Sequence, residues 1–243
     1  MTYCLGILLP IGLVMASDSR SNAGVDQIAS VRKMAQFTVP GDRSICILSA
    51  GNLATTQAVV TGLRQTAGTG YLGDINSAAN MFLVAEMVAN KLREVMARDA
   101  SFVQPYGDPS GTFLVGGQIG DEPPRLFQIY SAGNFIEATD RSFYLQIGET
   151  KYGKPILDRA LKLDTSLEEA AKLTLLSYDA TIRSNLSVDA PIDLWVHRTG
   201  KLDDSTPISL DRNDQYWTDL RSRYAEGLAR LVESLPAAPL GSP

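Results

Sequence analysis

The chain has 243 residues, 44% of them apolar and 20% charged, enough to bury one substantial core. Its formal net charge of -5, with Lys and Arg scattered and not clustered among aromatics, argues against a nucleic-acid partner. The single histidine, His197, has no Cys or His neighbour at ligand spacing, so the familiar zinc patterns are excluded, as is any Ser-His-Asp triad not built on that residue. No metal and no cofactor is expected.

Residues 3–16 are strongly apolar but interrupted by Pro10 and Gly12, which predicts two short strands joined by a tight turn. In the first strand Cys4, Gly6 and Leu8 share one face and Leu5, Ile7 and Leu9 the other, so both faces are apolar and both are expected to be buried. The same run ends at Met15-Ala16-Ser17 like a signal-peptide core, yet no Lys or Arg precedes it and Pro10 breaks it. A hairpin is the better reading. No stretch is long enough to span a bilayer, so no membrane partner is expected, and two Cys in apolar runs, Cys4 and Cys46, fit a cytoplasmic protein with buried thiols.

A strand through Phe37-Thr38-Val39 turns at Pro40-Gly41-Asp42 and returns as Ser44 to Ser49. Asn52 is placed to cap a helix with Ala54, Ala58, Val59 and Leu63 inside, ending near Gly68. Asn76 or Ser77 caps a second, in which Ala78, Met81, Phe82, Ala85, Val88, Leu92, Val95 and Met96 recur at helical spacing as ordinary core. Segments 112–119, 125–130 and 134–138 read as an antiparallel meander. Helical spacing resumes near Pro155, and again from Ser166, which has capping-box spacing to Glu169. Residues 190–197 alternate as a closing strand, and His197 at its end reads as a structural imidazole. A final helix spans roughly Asp214 to Ser234, with Trp217, Leu220, Tyr224, Leu228 and Leu231 on one stripe. The order of strands, helix pair, strands, helix pair and strand is packed most economically as an α+β, four-layer αββα sandwich. The expected division is a domain over 2–200, a connector and helix over 201–235 that packs on the domain or a neighbour, and a disordered tail over 236–243.

Little in this sequence looks catalytic apart from its beginning. Thr2 follows Met1 directly, and loss of Met1 would give it a hydroxyl nucleophile and a free α-amine to serve as base, one recognised way to activate a weak hydroxyl. Asp18 and Lys33, taken alone, would be an ordinary ion pair or unrelated surface charges.

Taken together with Thr2 they form part of a larger pattern. Thr2, Gly6, the Gly12 turn, Ala16 to Asp18, Asn22-Ala23-Gly24, Lys33, Ser49-Ala50-Gly51 and Ile147-Gly148 stand in an order that resembles proteasome β-subunits, which are N-terminal-nucleophile hydrolases. More specifically, Thr2-Tyr3-Cys4-Leu5-Gly6, the run from Ala16 to Ile28, and Arg32-Lys33-Met34 are similar to the Anbu family of bacterial proteasome-related proteins. The resemblance reaches from Thr2 to about His197 and includes the C-terminal helix.

What the resemblance implies can be stated residue by residue. Thr2 Oγ is the nucleophile; Lys33 lowers the basicity of the α-amine and stabilises charge on Oγ; Asp18 holds Lys33 charged; the Gly51 N–H is the oxyanion donor. Proteasome subunits carry a serine where this chain has Glu149, and their Asp-x-x-Ser-Gly pattern is met by Ser184 to Val188, with Ser184 in place of the aspartate and Ser187 as the serine. Glu149, Ser184 and Ser187 are therefore the expected accessory group. Ser21, Val31, Ala35, Ser49 and Leu53 match the first specificity pocket and suggest a neutral, moderately small one. The expected function is a threonine-type peptidase or amide hydrolase that acts on a peptide or small amide and self-associates into a ring or helical assembly. The alternative is a structural or peptide-binding subunit of such an assembly with little peptidase activity. An unfoldase partner cannot be named from the sequence.

Overall fold

The computed structural model describes residues 2–22, 28–71, 73–203 and 206–240, and of residues 21, 22 and 28 the backbone alone. Strands β1 (Tyr3–Leu9) and β2 (Gly12–Asp18) form the expected hairpin, with Cys4 opposite Ser17 and Leu9 opposite Gly12. A minor hairpin follows, β3 (Arg20–Asn22) with β4 (Ile28–Ser30). Then come β5 (Met34–Val39), β6 (Arg43–Gly51), α1 (Leu53–Thr66), α2 (Met81–Val103), β7 (Gly111–Ile119), β8 (Arg125–Ile129), β9 (Phe135–Glu137) and β10 (Tyr144–Gly148). The chain closes with α3 (Lys154–Ala160), α4 (Leu167–Ser184), β11 (Ile192–Arg198), β12 (Ile208–Leu210) and α5 (Gln215–Ser234).

Two antiparallel five-stranded sheets result, ordered β10-β1-β2-β11-β12 and β5-β6-β7-β8-β9. Alternation along the strands builds the layers. In β6 and β7, Ile45, Ile47, Phe113 and Val115 point to α1 and α2, while Cys46, Leu48 and Leu114 point to the opposite sheet. In β1, Tyr3, Leu5, Ile7 and Leu9 face α3 and α4, and Cys4 faces the inter-sheet layer. Gly6 lets the sheets close there, because a methyl group on it would lie 2.9 Å from a Leu126 methyl. The four-layer αββα sandwich is thus the observed architecture, with the hairpin buried on both faces as its composition requires.

The helix caps show where local sequence rules hold and where they slip. Asn52 and Ser166 accept the N–H groups of Thr55 and Glu169 at 3.2 and 3.1 Å, as expected. The cap of α2 is Asn80, which accepts the Leu83 N–H at 2.9 Å, and not Asn76 or Ser77. Those two belong to a short 3-10 turn, Ile75–Ser77, because the Asp74 carboxylate gathers the N–H groups of Gly68, Gly70 and Asn76 and ends the loop before the helix can start. Phe82, expected inside, is 44% exposed and rests edge-on against Phe135; Ala54 is exposed too, and Thr55 and Thr56 take the inner positions of α1.

The stripe of α5 divides. Trp217, Leu220 and Tyr224 pack on α4, helped by Arg221 donating to the buried Asp179 at 2.7 Å, whereas Leu228 and Leu231 are exposed. The first turns of α5 therefore pack on α4. Residues 241–243 of the expected tail lie outside the described residues, as do Ala23 and Gly24 of the Asn22-Ala23-Gly24 motif. Strands β3, β4, β10 and β12 have no counterpart in the sequence-based reading, three of them because three residues are too few to show a period.

Candidate active site

Thr2 lies one residue ahead of β1, buried, and its main chain is held from three sides. Its carbonyl accepts the Glu149 N–H at 2.7 Å; the next N–H, of Tyr3, donates to Asp18 Oδ1 at 3.0 Å; the Tyr3 carbonyl accepts from the Tyr178 hydroxyl at 2.8 Å. Gly148 makes the first contact feasible. Its φ of +82° suits glycine alone, and a methyl group there would lie 1.9 Å from the Thr2 carbonyl oxygen.

Asp18 ends β2 with no solvent exposure, and Lys33 enters from the segment ahead of β5. Lys33 Nζ donates to both Asp18 oxygens at 2.9 Å and to the Arg20 carbonyl at 2.5 Å. Asp18 Oδ2 also accepts the Arg20 N–H at 3.2 Å. Burial pushes the Asp18 carboxyl above its usual range, while the adjacent Lys33 ammonium and the N–H groups of Tyr3 and Arg20 pull it back. All three donors of the ammonium are spent on oxygen, so this buried pair is fully compensated. Lys33 is tied in turn to β6, its carbonyl accepting the Ser49 N–H at 3.1 Å.

Gly51 ends β6 with φ +110°, and a methyl group on it would lie 2.4 Å from the Ser110 carbonyl. The strand-to-helix turn there is needed by the fold in any case, since the Asn52 N–H donates to the same Ser110 carbonyl at 2.8 Å. Between this turn and Lys33 opens a cleft of about 260 Å3 lined by Ala35, Ser49 and Leu53 among others, three of the five expected pocket residues. Val31 is not part of its lining, its N–H donating to the Ser19 carbonyl at 2.7 Å, and the side chain of Ser21 lies outside what is described. The expectation of a neutral pocket needs correction. Arg32, Lys33 and Arg64 also line the cleft, because α1 carries Arg64 back over it two turns beyond Gln57.

The accessory residues separate. Glu149 is buried beside Thr2, and its carboxylate accepts from Asn185 Nδ2 at 3.0 Å and from the Lys151 N–H at 3.3 Å. Asn185 Oδ1 in turn accepts the Ser187 N–H at 2.9 Å, so Ser187 is linked to the site through Asn185. Ser184 is not brought in. It is exposed at the end of α4 and lines a separate groove of about 710 Å3 toward α5 with Tyr224 and Leu228. Asn185 and Tyr178 are the residues the sequence reading missed, because each acts across 36 or 175 positions with no local signal.

Elsewhere the reactive residues are quiet. Cys4 and Cys46 are free and buried, and burial raises both thiols, so neither is poised as a nucleophile. His197 Nε2 donates to Gln118 Oε1 at 2.9 Å, the tautomer being set because the same oxygen already accepts the Gly200 N–H at 2.8 Å. Burial holds its pKa down at about 4. Among the described residues no group of three or more His, Cys, Asp or Glu is placed to hold a metal ion, and no helix is long and apolar enough to cross a membrane.

A double-sheet sandwich with a residue-2 threonine at one end of its central hairpin, beside a buried Lys-Asp pair, has the architecture of the N-terminal-nucleophile proteins. Comparison with known proteins narrows the class. The family model described as proteasome subunit matches residues 2–196. Proteasome subunit beta 2 of Pyrobaculum calidifontis is 28% identical over 193 residues, 79% of this chain and 86% of that protein. Among solved structures, Anbu (ancestral beta-subunit) from Yersinia bercovieri is 41% identical with a TM-score of 0.93, covering 99% of this chain and 100% of that one. Another, described as the helical assembly of the Anbu complex from Pseudomonas aeruginosa, is 44% identical with a TM-score of 0.94 and 98% coverage of both chains. The chain belongs to the proteasome-subunit family, in its Anbu branch.

Proposed function

We propose that this chain is a threonine-type amide hydrolase, with peptide the leading substrate class, that becomes competent when Met1 is removed. The observation that carries the reading is the buried Lys33-Asp18 pair, whose carboxylate also grips the Tyr3 N–H, one peptide bond from Thr2. An ion pair buried this deeply adds little net stability, since desolvation offsets its attraction. What it does supply is a fixed positive charge near residue 2.

The chemistry follows in two balanced steps. Thr2 Oγ attacks the amide carbon while its proton passes to the Thr2 α-amine. That proton is then delivered to the leaving nitrogen as the C–N bond breaks, leaving an ester on Oγ. Water, deprotonated by the same amine, cleaves the ester, releases the carboxylic acid and restores the hydroxyl. With a solution pKa of about 7.7 to 8.0, the α-amine needs only a modest fall to be neutral at pH 7, and a neighbouring ammonium acts in that direction. Gly51 is proposed as the oxyanion donor, a role worth about 2.7 to 4 kcal/mol in such reactions. Glu149, through Asn185 and Ser187, is proposed to position the Thr2 main chain.

Intact-mass measurement and labelling with a peptide epoxyketone, which reacts with hydroxyl and amine together, test the reading. The expected result is a chain lacking Met1 and a single adduct on Thr2, lost in Thr2→Ala. Retention of Met1 in the purified protein would sink the mechanism.

The second reading is a structural subunit of a self-assembled complex. It is favoured by the exposed half of the α5 stripe, where Leu228, Leu231, Val232 and Leu235 are each about half exposed or more, and by the helical assembly described for the Pseudomonas aeruginosa relative. Self-association and hydrolysis are compatible. Sedimentation of wild type against Leu228→Asp would measure the former independently. Action in the cytoplasm is part of the same proposal.

A further inference from the structure

The cleft beside Lys33 has a charge that the chain's overall composition does not explain. The chain carries five more acidic than basic side chains, yet three cations and no carboxylate line the cleft among the described residues. Two of the three are already engaged. Lys33 is saturated by Asp18 and the Arg20 carbonyl, and Arg32 lies 3.6 Å from a carboxylate oxygen of Asp193. Arg64 has no carboxylate partner among the described residues. Its charge suits the last turn of α1, but that accounts only for its place in the sequence and not for the acid-free wall it faces.

Volume and place narrow the occupant. About 260 Å3 is below the range of about 300 to 1,000 Å3 typical of sites for whole small molecules, so the cleft suits one side chain of a longer ligand. It runs from Lys33 and Ser49, next to the Gly51 turn, along α1 past Gln57 and Thr61 to Arg64. On the hydrolase reading, in which the Gly51 N–H binds the oxyanion, the residue bearing the attacked carbonyl lies next to this space. The inner wall, with Ala35 and Leu53, accepts methylene groups, and the outer end offers a guanidinium, which pairs with carboxylates in a two-pronged geometry.

We infer that the cleft selects an acidic side chain, Glu before Asp, at the residue preceding the scissile amide, with Arg64 as the residue that confers the preference. This rests on the hydrolase reading above for its catalytic meaning. The binding preference itself does not require turnover.

Two measurements separate the two. Hydrolysis of acetylated tetrapeptide coumarin amides with Glu, Leu or Lys before the coumarin is followed with the Met1-free wild type, and binding of the corresponding amidated tetrapeptides is followed with Thr2→Ala. In both, Glu is expected to exceed Leu by about fivefold, with Lys weakest, and the margin to shrink at 0.5 M salt because Arg64 is exposed. Arg64→Lys keeps the order, and Arg64→Glu, shown to be folded by an unchanged melting temperature, reverses it. Equal or better handling of Leu, or a Glu preference that survives Arg64→Glu, overturns the inference. A Glu preference in binding, lost in Arg64→Glu, without hydrolysis or labelling of the wild type, would leave the cleft assignment standing and remove the enzyme reading.

Discussion

Asp18 and His197 are both wholly buried on the β2-β11 pair, one opposite Ile192 and the other opposite Leu13, at its two ends. They solve the same problem in opposite ways. His197 keeps a neutral ring bonded to the Gln118 side chain and a pKa held down at about 4. Asp18 faces a cation and two N–H groups, an arrangement that keeps a carboxylate charged where burial alone would neutralise it. Maintaining a charge in that position is costly for a fold that, at His197, buries a polar group in its neutral form.

 The difference marks the Asp18 end as the place where charge itself is wanted.

The largest expected effect strips the charge compensation. Lys33→Ala leaves Asp18 buried without its cation and should lower stability by about 3 to 5 kcal/mol in urea unfolding at pH 7. The sign of its pH dependence is fixed. With its folded pKa raised further above the unfolded value, Asp18 takes up a proton more readily in the folded chain, so the deficit shrinks as pH falls. Replacing both partners together, Asp18→Asn with Lys33→Met, should lose less than Lys33→Ala alone. A double variant that loses as much as the sum of its two single replacements would break the contrast drawn here.

His197 predicts the next effect, with the opposite slope. Its folded pKa, about 4, lies below the unfolded value near 6.5, so protonation favours the unfolded chain. The neutral ring's contribution is whole above pH 6.5 and is lost as pH falls toward 4, up to about 3 kcal/mol for one proton. His197→Gln should flatten that part of the stability profile. If the variant titrates as the wild type does, burial of His197 is not the cause.

Asn185 sharpens the comparison at smaller scale. Asn185→Ala removes the side-chain donor to a buried carboxylate, Glu149, and should cost about 2 kcal/mol. If Glu149 positions Thr2, the rate of epoxyketone labelling should fall with it, and Glu149→Gln alone, which still accepts from Asn185, should keep more of that rate than Asn185→Ala does. A stability loss with no change in labelling would leave Glu149 a structural group only.

These groups differ in how far they could be read from the sequence. The hairpin 3–18 was legible because its apolar residues alternate on both faces, and Asn52 and Ser166 because a cap acts on an N–H three residues away. Thr2, Asp18 and Lys33 were legible only as a family pattern, for nothing in their spacing says that a lysine fifteen residues after an aspartate turns back to meet it. Tyr178 and Asn185 were not legible at all. Their partners are placed by the sheet and by α4, so their roles exist only after the fold does. The charge of the cleft was missed for the same reason, since Arg64 reads locally as a helix-end residue.

The smallest effect tests the local rule where it slipped. Asn80→Ala removes the side chain that accepts the Leu83 N–H at the start of α2 and should cost about 1 kcal/mol. Ser77→Ala, at the position the spacing also allowed, removes a hydroxyl that donates to the Asp74 carbonyl at 2.9 Å inside the 3-10 turn and caps no helix. It should cost less. The pair separates two sources of helix initiation, an Asx cap acting within its own turn and a loop closed by the Asp74 carboxylate. Were Ser77→Ala the more damaging of the two, the 3-10 turn and not Asn80 would be what starts α2, and a cap would then depend on contacts made beyond its own turn, as Asp18 and His197 do.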